Sequence, residues 1–454
     1  MRSTVAAIAL TTLITLPAPS ALAETTALRA EAEAMLVIGK DHQVAQRFED
    51  AIAAYERAIE LDPTFAAAHW EMGWSHWSLG QFDRTLELWR KTLELDPDHP
   101  EAADYIQNLE TELAERERIK AANAAQAEAG GAPALPPEPS EVGESRLLLA
   151  AVGDTMMGDA GGGSGRVPPD DARGMFDQVT PYLERADLAF ANLEGVMADS
   201  GSSSKCRPDS QKCYAFRMPT ALGPRLVEAG IDVVSIANNH ANDYGASGRA
   251  RTIEALDALG LHHSGPLGDL AVMQVNGLRI GLVAMATSPG LYNINRMDDA
   301  ATVVTQLAAE NDIVVVSFHG GAEGSSAIHV PHGMEKAFGE NRGDLRTFTH
   351  RMIDAGADLI IGHGPHVPRG MEIYNNRLIA YSLGNFFTYR FNVKGNLGVG
   401  PLLMVYLDEH GAFVEGEIIS TTQTYASGPL LDPENTAVTV IRELSEEDFG
   451  ETAP

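Results

Sequence analysis

The sequence is short of positive charge. Lys and Arg total 33 against 63 Asp and Glu in 454 residues, which gives a formal net charge of -30 at pH 7 and a pI near 4.7. Affinity for nucleic-acid phosphates comes from clustered Lys and Arg, and no basic tail offsets the acidic excess. The composition therefore argues against a general nucleic-acid-binding protein. The hydrophobic content of 44% is that of an ordinary globular chain.

Cysteine is almost absent. Cys206 and Cys213 are the only two, and they lie close together in a loop rich in Gly, Ser and Lys. A zinc site made from these two alone lacks ligands. In an exported protein a local disulfide is expected, and it would staple a loop rather than build a core.

Long apolar runs are absent beyond residue 23, because no later run approaches the ~20 residues that span a bilayer. At the amino terminus Arg2 precedes an apolar run at 5–16, and Ala-Leu-Ala follows at 21–23. This pattern predicts a secretory signal peptide over residues 1–23, cleaved before Glu24. An uncleaved anchor is the alternative. We expect a periplasmic or extracellular protein with no integral membrane segment after cleavage.

A helical repeat follows the predicted signal peptide. Phe48, Tyr55 and Ala58 recur as Phe82, Trp89 and Thr92, and Asp-Pro at 62–63 recurs at 96–97, always with an offset of 34 residues. This period resembles the tetratricopeptide repeat and predicts an all-α domain over 24–120 that docks a protein partner. Two repeats are too few to stack stably, so 25–45 and 101–120 should supply flanking helices. The tryptophans at 70, 74, 77 and 89 would pack between helices or line a partner groove, and packing is favoured.

The rest of the chain divides by composition. Residues 121–145 are rich in Ala and Pro and lack apolar periodicity, which predicts a semi-extended linker that joins two separable domains. Residues 146–431 alternate strand-like and helical patterns, which predicts an α/β layered domain. Residues 432–454 are predicted to form a loose acidic C-terminal tail.

Five apolar, strand-like runs of this domain each end in side chains that can bind a metal. The residues at these ends are Asp154, Glu194, Asn239 with His240, His319, and His363 with His366. Polar turns alone could explain each case, but one sheet that carried all five runs would bring these side chains together at its carboxyl edge. Carboxylate, amide and imidazole groups suit borderline divalent ions, so we predict one or two, with Mn, Fe or Zn as candidates.

Five ordered motifs carry a family resemblance. They are Gly-Asp-Thr-Met-Met-Gly at 153–158, Ala-Asn-Leu-Glu-Gly at 191–195, Ala-Asn-Asn-His-Ala-Asn-Asp-Tyr-Gly at 237–245, His-Gly-Gly-Ala-Glu-Gly at 319–324 and Tyr-Ser-Leu-Gly-Asn-Phe at 381–386. Over about 146–420 the chain resembles the CapA family of bacterial capsule (poly-γ-glutamate) synthesis proteins. That family is grouped with calcineurin-like metallophosphatases, so the resemblance implies a β-sandwich flanked by helices over a dinuclear metal site.

The resemblance also implies roles for individual residues. Asp154 would bind one metal, Glu194 would take the place of the bridging carboxylate, and Asn239 and His319 would serve the second metal. His240 would protonate the leaving oxygen.

Two positions depart from the metallophosphatase pattern. Met156 stands where a histidine is usual, and a thioether suits a hard dinuclear site poorly. His363 and His366, both predicted ligands, are separated by Gly-Pro instead of by one residue. We therefore expect the first metal to be the weaker one.

Two further groups of residues bear on function. A basic stretch could attract an anionic polymer or a phosphorylated envelope substrate; it comprises Lys205, Arg207, Lys212, Arg217 and Arg225. Five histidines outside the motifs are expected to be surface or structural: His262, His263, His329, His332 and His350.

The function expected from these patterns is that of an exported capsule-type protein with a metallophosphatase-like site, which leans toward a metal-dependent hydrolase. The alternatives are a periplasmic metal-dependent phosphoesterase and a non-catalytic scaffold docked through its repeats.

Overall fold

The structure is a computed structural model that describes residues 21–45, 47–128, 135–161, 166–206 and 213–454. The predicted signal peptide lies outside this range except for its last three residues. The chain divides into two compact units. The first unit ends at Ile106 and does not include residues 78–80. The second unit comprises residues 78–80 and 107–454. Across the described part of the chain, no helix combines the length and apolar character that a membrane crossing needs.

The first unit is helical. Its helices are α1 (Ala21–Val44), α2 (Phe48–Leu61), α3 (Ala66–Ser78), α4 (Phe82–Leu95) and the beginning of α5 (Ala102–Glu128). A Cβ on Gly39 would lie 2.3 Å from the Tyr55 ring, and one on Gly73 would lie 2.4 Å from Trp89. These pairs have the same 34-residue offset, so α1 is the first helix of repeat one rather than a separate flanking helix.

The tryptophans form one aromatic cluster inside this unit. Trp89 is 1% exposed and its ring centroid lies 5.3 Å from that of Trp70 and 5.0 Å from that of Trp74. Tyr105 closes the cluster at 5.0 Å from Trp74. Trp70 and Trp89 are therefore packing residues, while Trp74 and Trp77 keep partly exposed faces.

The second unit contains the remaining elements. Its strands are β1 (Leu147–Met156), β2 (Leu188–Leu193), β3 (Val196–Met197), β4 (Arg217–Met218), β5 (Val233–Ser235), β6 (His262–Ser264), β7 (Ala271–Val275), β8 (Leu278–Ala286), β9 (Tyr292–Asn293), β10 (Ile313–His319), β11 (Glu335–Ala337), β12 (Glu340–Gly343), β13 (Leu359–His363), β14 (Met371–Tyr374), β15 (Arg377–Ala380), β16 (Asn385–Thr388), β17 (Val399–Leu407), β18 (Phe413–Thr422) and β19 (Leu430–Leu431). Its further helices are α6 (Thr180–Leu183), α7 (Pro224–Glu228), α8 (Gly245–Leu259), α9 (Met297–Glu310), α10 (Leu345–Asp354) and α11 (Thr436–Phe449).

Two sheets pack face to face in this unit. One has the order β19-β18-β17-β1-β2-β5-β6 with β16 beside β1, and the other has the order β14-β15-β13-β10-β8-β7 with β9 beside β8. Leu149 and Phe190 of the first sheet share a buried core with Leu282, Val315 and Ile361 of the second. Helices α9 and α10 cover the outer face of the second sheet. The predicted fold class, an α/β sandwich flanked by helices and preceded by helical repeats, is confirmed.

The predicted site residues do not lie on one sheet. Strands β1, β2 and β5 run parallel in the first sheet, whereas β10 and β13 run parallel in the second. The one-sheet expectation is therefore wrong, but the side chains still meet because the packed sheets present these carboxyl ends at the same rim.

Two expected boundaries need correction. The helical unit ends at Ile106 rather than at 120, and α5 continues to Glu128 as part of the second unit. There Asn123 donates to Gln178 Oε1 (3.0 Å) and to the Leu431 carbonyl (2.8 Å). In the second half of the predicted linker, Tyr406 Oη donates to the Pro137 carbonyl (2.9 Å), so this part lies on the second unit.

The predicted loose tail is also wrong. Residues 436–449 form α11, which buries Ile441 and Leu444 and packs against β17 and β18 of the first sheet and β14 of the second. The acidic residues of α11 make this segment look solvated in the sequence. The helix is nevertheless amphipathic, because its apolar positions recur at the spacing of one helix face.

Candidate metal centre

The strand ends fix the positions of the predicted ligands. Asp154, in β1, lies opposite Asn192 of β2 and Asn385 of β16, and His319 at the end of β10 lies opposite His363 of β13. In β1, Gly153 allows a close approach, since a Cβ there would lie 2.1 Å from the Gly384 carbonyl oxygen. This contact lets the Asp154 amide donate to that oxygen (2.8 Å).

Three side chains form the centre of the cluster. Single ligand atoms of Asp154, Glu194 and His366 all lie within 4.8 Å of one another. His366 Nδ1 is 2.9 Å from Asp154 Oδ2 and 3.7 Å from Glu194 Oε2. Asp154 and Glu194 are buried, at 0% and 2% exposure.

The other predicted residues surround this centre. His363 Nδ1 lies 3.4 Å from Asp154 Oδ1, and His319 Nε2 lies 3.8 Å from Glu194 Oε1. The side-chain nitrogen of Asn239, Nδ2, donates to Glu323 Oε1 (3.3 Å). The side-chain carbonyl oxygen of Asn239 takes no part in this hydrogen bond. With His240 beside Glu194, the fold brings together all seven residues that the sequence singled out.

The buried atoms of this cluster fit a cation. Seven of them make no well-aligned hydrogen bond with the described residues: Asp154 Oδ2, Glu194 Oε1, Asn239 Oδ1, and both ring nitrogens of His319 and of His363. Asp154 Oδ2 is in addition ion-paired with His366 Nδ1 at 2.9 Å. Each oxygen, and one nitrogen of each neutral ring, can offer a lone pair, and leaving buried polar atoms unpaired costs stability. Carboxylate, amide and neutral imidazole together form the donor set of a borderline divalent ion.

The charges of the cluster favour a positive species at its centre. Burial acts to raise the pKa of Asp154, but the adjacent imidazoles of His363 and His366 outweigh it and hold that pKa below its usual range. Burial raises the pKa of Glu194 to about 8, against the opposing charge of His366.

The imidazoles differ in charge preference. Burial lowers the pKa of His319 well below its usual value, so that ring is neutral and able to act as a ligand. Burial also acts to lower the pKa of His366, but Glu194 and Asp154 overcome this and raise it to about 10. The proton on His366 thus lies where the charges of Glu194 and Asp154 favour a positive ion.

His240 is oriented by a partner that the sequence analysis missed. Its Nδ1 lies 2.7 Å from Asp243 Oδ2, and its Nε2 lies 4.0 Å from Glu194 Oε1. Phe216 stacks on the ring at 4.2 Å between centroids. Lys205 is ion-paired with Asp243 and approaches His240 Nδ1 to 3.3 Å. Burial lowers the pKa of His240 while Asp243 opposes the shift.

A cavity of about 400 Å³ opens over the cluster, and Glu194, His240 and His366 line it. Sequence reasoning assigned no role to three of its other lining residues: Glu323, Arg342 and Asn385. Arg342 is ion-paired with Glu323, and Asn385 Oδ1 lies 3.1 Å from His366 Nδ1. Glu323 and Asn385 fall within the family-like motifs, which was the available signal, whereas Arg342 carried no local signal.

Met156 lines the same cavity and is 2% exposed. Its thioether occupies the strand position where a histidine was expected, on the side of the centre near Asp154. The weaker binding of the first metal stays a prediction.

The predicted basic patch is largely not a free surface. Arg225 is 9% exposed and paired with Glu228 at 2.6 Å, and Arg217 donates to the carbonyls of Ala198 and Ala160. The cations at 207 and 212 lie outside the described residues, which leaves Lys205 at the cavity wall. The patch hypothesis fails for Arg217 and Arg225 because both guanidinium groups are already engaged.

The remaining expectations about cysteine and histidine are confirmed. Cys206 and Cys213 form a disulfide, which rules out their use as zinc ligands. His263 lies 3.0 Å from Asp269, and His350 lies 3.0 Å from Glu372. His329 lies 3.0 Å from Asp448, and His262 and His332 are exposed.

Comparisons with known proteins agree with this architecture. The family model described as bacterial capsule synthesis protein PGA_cap matches residues 148–390, and a tetratricopeptide-repeat model matches 45–80. The capsule biosynthesis protein CapA of Bacillus anthracis is 29% identical over 262 residues, which cover 53% of this chain and 59% of that protein. A probable polyglutamine synthesis accessory protein of Mycobacterium tuberculosis is 31% identical over 254 residues, which cover 49% and 62%.

One solved structure spans most of the chain. A 5'-nucleotidase precursor from Thermus thermophilus covers 66% of this chain and 58% of its own, with 13% identity and a TM-score of 0.36, too low to establish shared chemistry. The chain spans about six tenths of the length of the two curated relatives above. Because the capsule-synthesis model covers more than half of the chain, the protein belongs to the bacterial capsule synthesis PGA_cap family.

Proposed function

We propose that this protein is an exported, capsule-type polymer biosynthesis protein whose α/β unit is a metal-dependent hydrolase. The carrying observation is the set of seven buried polar atoms that make no well-aligned hydrogen bond within the described parts of the chain, beside the 400 Å³ cavity that Glu194 and Asn239 line. Family membership supports the polymer context, and the names of the similar proteins refer to capsule, PGA and polyglutamine synthesis. The helical repeats would dock a protein partner.

The residues that would hold the metal divide into two groups. Glu194 Oε2 lies 3.7 Å from His366 Nδ1, and Glu194 Oε1 lies 3.8 Å from His319 Nε2. In the proposed assignment Asp154, His363 and His366 would hold one ion, Asn239 and His319 would hold the other, and Glu194 would serve both. A divalent ion in such a site supplies Lewis acidity toward water and toward an ester or amide oxygen. With Met156 on the Asp154 side, the Glu194, Asn239 and His319 side is expected to bind more tightly.

His240 is placed to handle a proton. Asp243 accepts from Nδ1–H, which fixes the ring so that Nε2 faces Glu194 and the cavity. Nε2 can then exchange a proton with a group bound there, and the charge of Asp243 stabilises the imidazolium that forms. Phe216 stacks on the His240 ring, and Lys205 pairs with Asp243.

The test compares metal content and hydrolysis in single variants. His319→Ala should strip metal, since a neutral buried imidazole is a principal ligand. His240→Ala should retain metal and lower hydrolysis by ~10²-fold or more, because a positioned proton donor typically contributes that much. Elemental analysis of the purified chain measures the first effect, and a panel of phosphoester and γ-glutamyl substrates measures the second.

His350→Ala is the matched control, because His350 pairs with Glu372 away from the cavity. It should change neither metal content nor rate. Equal metal content in wild type, Asp154→Ala and His319→Ala would remove the metal site and favour a non-catalytic scaffold. Turnover confined to phosphoesters would favour the alternative of an envelope phosphoesterase.

A further inference from the structure

A second cavity adjoins the one over the metal centre. It has a volume of about 490 Å³, and its walls contain the cations of Arg166, Arg390 and Lys394 against one carboxylate, that of Glu112. Three residues line both cavities: Tyr214, Phe391 and Asn392. The two cavities are therefore neighbours along one wall.

The positive charges in the wall of this second cavity outnumber the carboxylates there. Arg166 lies over the Phe391 ring at 4.9 Å and Lys394 is exposed, and neither is ion-paired with any carboxylate of the described residues. Glu112 already accepts from the Ala426 amide (3.2 Å). The chain as a whole carries 63 acidic and 33 basic residues. A cavity wall with three cations is therefore locally positive in a negatively charged protein, and it would concentrate anions there.

Arg390 is built into the wall. It is 1% exposed, adopts a left-handed backbone conformation with φ of 60°, and donates its amide to the Tyr425 carbonyl (2.7 Å). A non-glycine residue held in this conformation is uncommon, and such residues gather at ligand sites. Burial lowers the pKa of Arg390, and the charge of Arg166 acts in the same direction. Arg390 also contacts the Tyr389 ring at 5.2 Å. An anion bound near both guanidinium groups would further offset the burial of Arg390 and the repulsion between the two charges.

Strand β16 links the two cavities. Asn385 begins the strand and contacts His366 at the metal centre, and Arg390 comes two residues after the strand ends. Five residues of extended chain reach at most about 16 Å. A bound polymer of about five extended residues could therefore touch both places.

We propose that Arg166, Arg390 and Lys394 form a cationic subsite for the carboxylates of an extended polyanionic chain whose reacting unit sits in the metal cavity. Guanidinium groups bind carboxylates in bidentate fashion, and the aromatic rings of Tyr214 and Phe391 can pack on the aliphatic parts of the chain. This proposal rests on the proposed function, because that function defines which unit of the polymer reacts in the metal cavity. The subsite itself is a binding site whether or not hydrolysis occurs.

The test measures binding of fluorescent γ-linked glutamate oligomers by anisotropy at fixed ionic strength. Arg390 is left intact because it is buried, and Arg166→Gln with Lys394→Gln removes the two accessible cations. An oligomer of about ten residues should bind the double variant about tenfold more weakly, whereas a dimer should bind both proteins equally. Arg279→Gln with Arg442→Gln removes the same charge from residues that line neither cavity and should change neither affinity.

Equal affinity of the long oligomer for all three proteins would overturn the subsite. Polyphosphate of matched charge that binds more tightly, and loses more affinity in the variant, would overturn the choice of a carboxylate chain. The titration is repeated in a His319→Ala background, in which the metal centre is disabled. The same tenfold loss there would support the subsite even if the hydrolase proposal failed.

Discussion

At the scale of single residues, the centre depends on strained backbone. His366 has a φ of 63°, and Gly364 before it has a φ of 116° and approaches Gly320 so closely that a Cβ would lie 2.5 Å from the Gly320 carbonyl oxygen. A non-glycine residue in the left-handed region costs about 1–3 kcal/mol. With this backbone conformation His366 Nδ1 lies 2.9 Å from Asp154 Oδ2 and 3.1 Å from Asn385 Oδ1, a placement that the Gly-Pro spacer in the sequence did not reveal.

His263 gives a pH-dependent prediction away from the metal centre. Its hydrogen bond with Asp269 raises its pKa above 6.5, and Asp257 adds to this while burial opposes it. A raised folded-state pKa means that the stabilisation is complete below about pH 6.5 and is lost as the pH rises through the folded value. His263→Gln should therefore lower the free energy of unfolding by about 1 kcal/mol more at about pH 5.5 than at about pH 8.5.

Urea unfolding at the two pH values measures this difference. His332→Gln serves as the control, since that ring is exposed and has no hydrogen-bond partner in the described parts of the chain. An identical loss for His263→Gln at both pH values would contradict the assignment of a stabilising ion pair.

At the scale of elements, α11 shows how charge can hide a packed helix. Five acidic residues between 443 and 451 suggest a solvated end, yet Ile441, Leu444 and Ser445 face inward and the Met371 amide donates to Ser445 Oγ (2.8 Å). The helix therefore closes one edge of the sandwich.

This packing predicts a large effect of one substitution. Leu444 is 5% exposed, so Leu444→Ala should destabilise the α/β unit by about 3 kcal/mol through lost burial and a cavity. A loose tail would give less than about 0.5 kcal/mol. Urea unfolding followed by circular dichroism or hydrogen exchange measures the change. Tryptophan fluorescence would miss it, because all four tryptophans lie in the helical unit.

Glu443→Ala is the matched control on the same helix, since Glu443 is exposed. It should shift the midpoint little. Comparable small effects for both substitutions would show that α11 contributes no packing energy.

At the scale of the whole molecule, the two units differ in how far contacts reach along the chain. The helical repeats are built from neighbours in sequence, whereas the sandwich pairs β1 with β17 and β16, more than 200 residues away. Repeats are therefore readable from a local period, but the order of strands in two sheets is not.

Export gives a prediction about the amino terminus and the cysteines. Removal of residues 1–23 should leave Glu24 as the first residue, and an oxidising compartment should keep Cys206 bonded to Cys213. Mass spectrometry of protein from the cell envelope, with and without reduction before alkylation, measures both properties. A chain that begins at Met1, or two alkylatable thiols without reduction, would contradict export. The Cys206→Ser, Cys213→Ser double variant calibrates the alkylation.

Features that depend on neighbours along the chain could be predicted from the sequence alone. A 34-residue period specified the helical repeats, since each repeat buries its aromatic residue against a small residue one helix away, as with Gly73 and Trp89. Apolar runs with polar ends indicated which side chains would sit at strand carboxyl ends, because that location follows from strand direction. Six candidate ligands were found in this way: Asp154, Glu194, Asn239, His319, His363 and His366.

The groups that complete the site depend instead on how distant segments pack. Arg342 reaches Glu323 from a hairpin 19 residues later, and Asn385 reaches His366 from a strand that pairs with β1. The shared cavity of Arg166 and Arg390 joins residues 224 apart. Such partners are set by how two sheets pack and how loops cross their common rim, and a one-dimensional pattern carries no signal for contacts that burial and sheet order create.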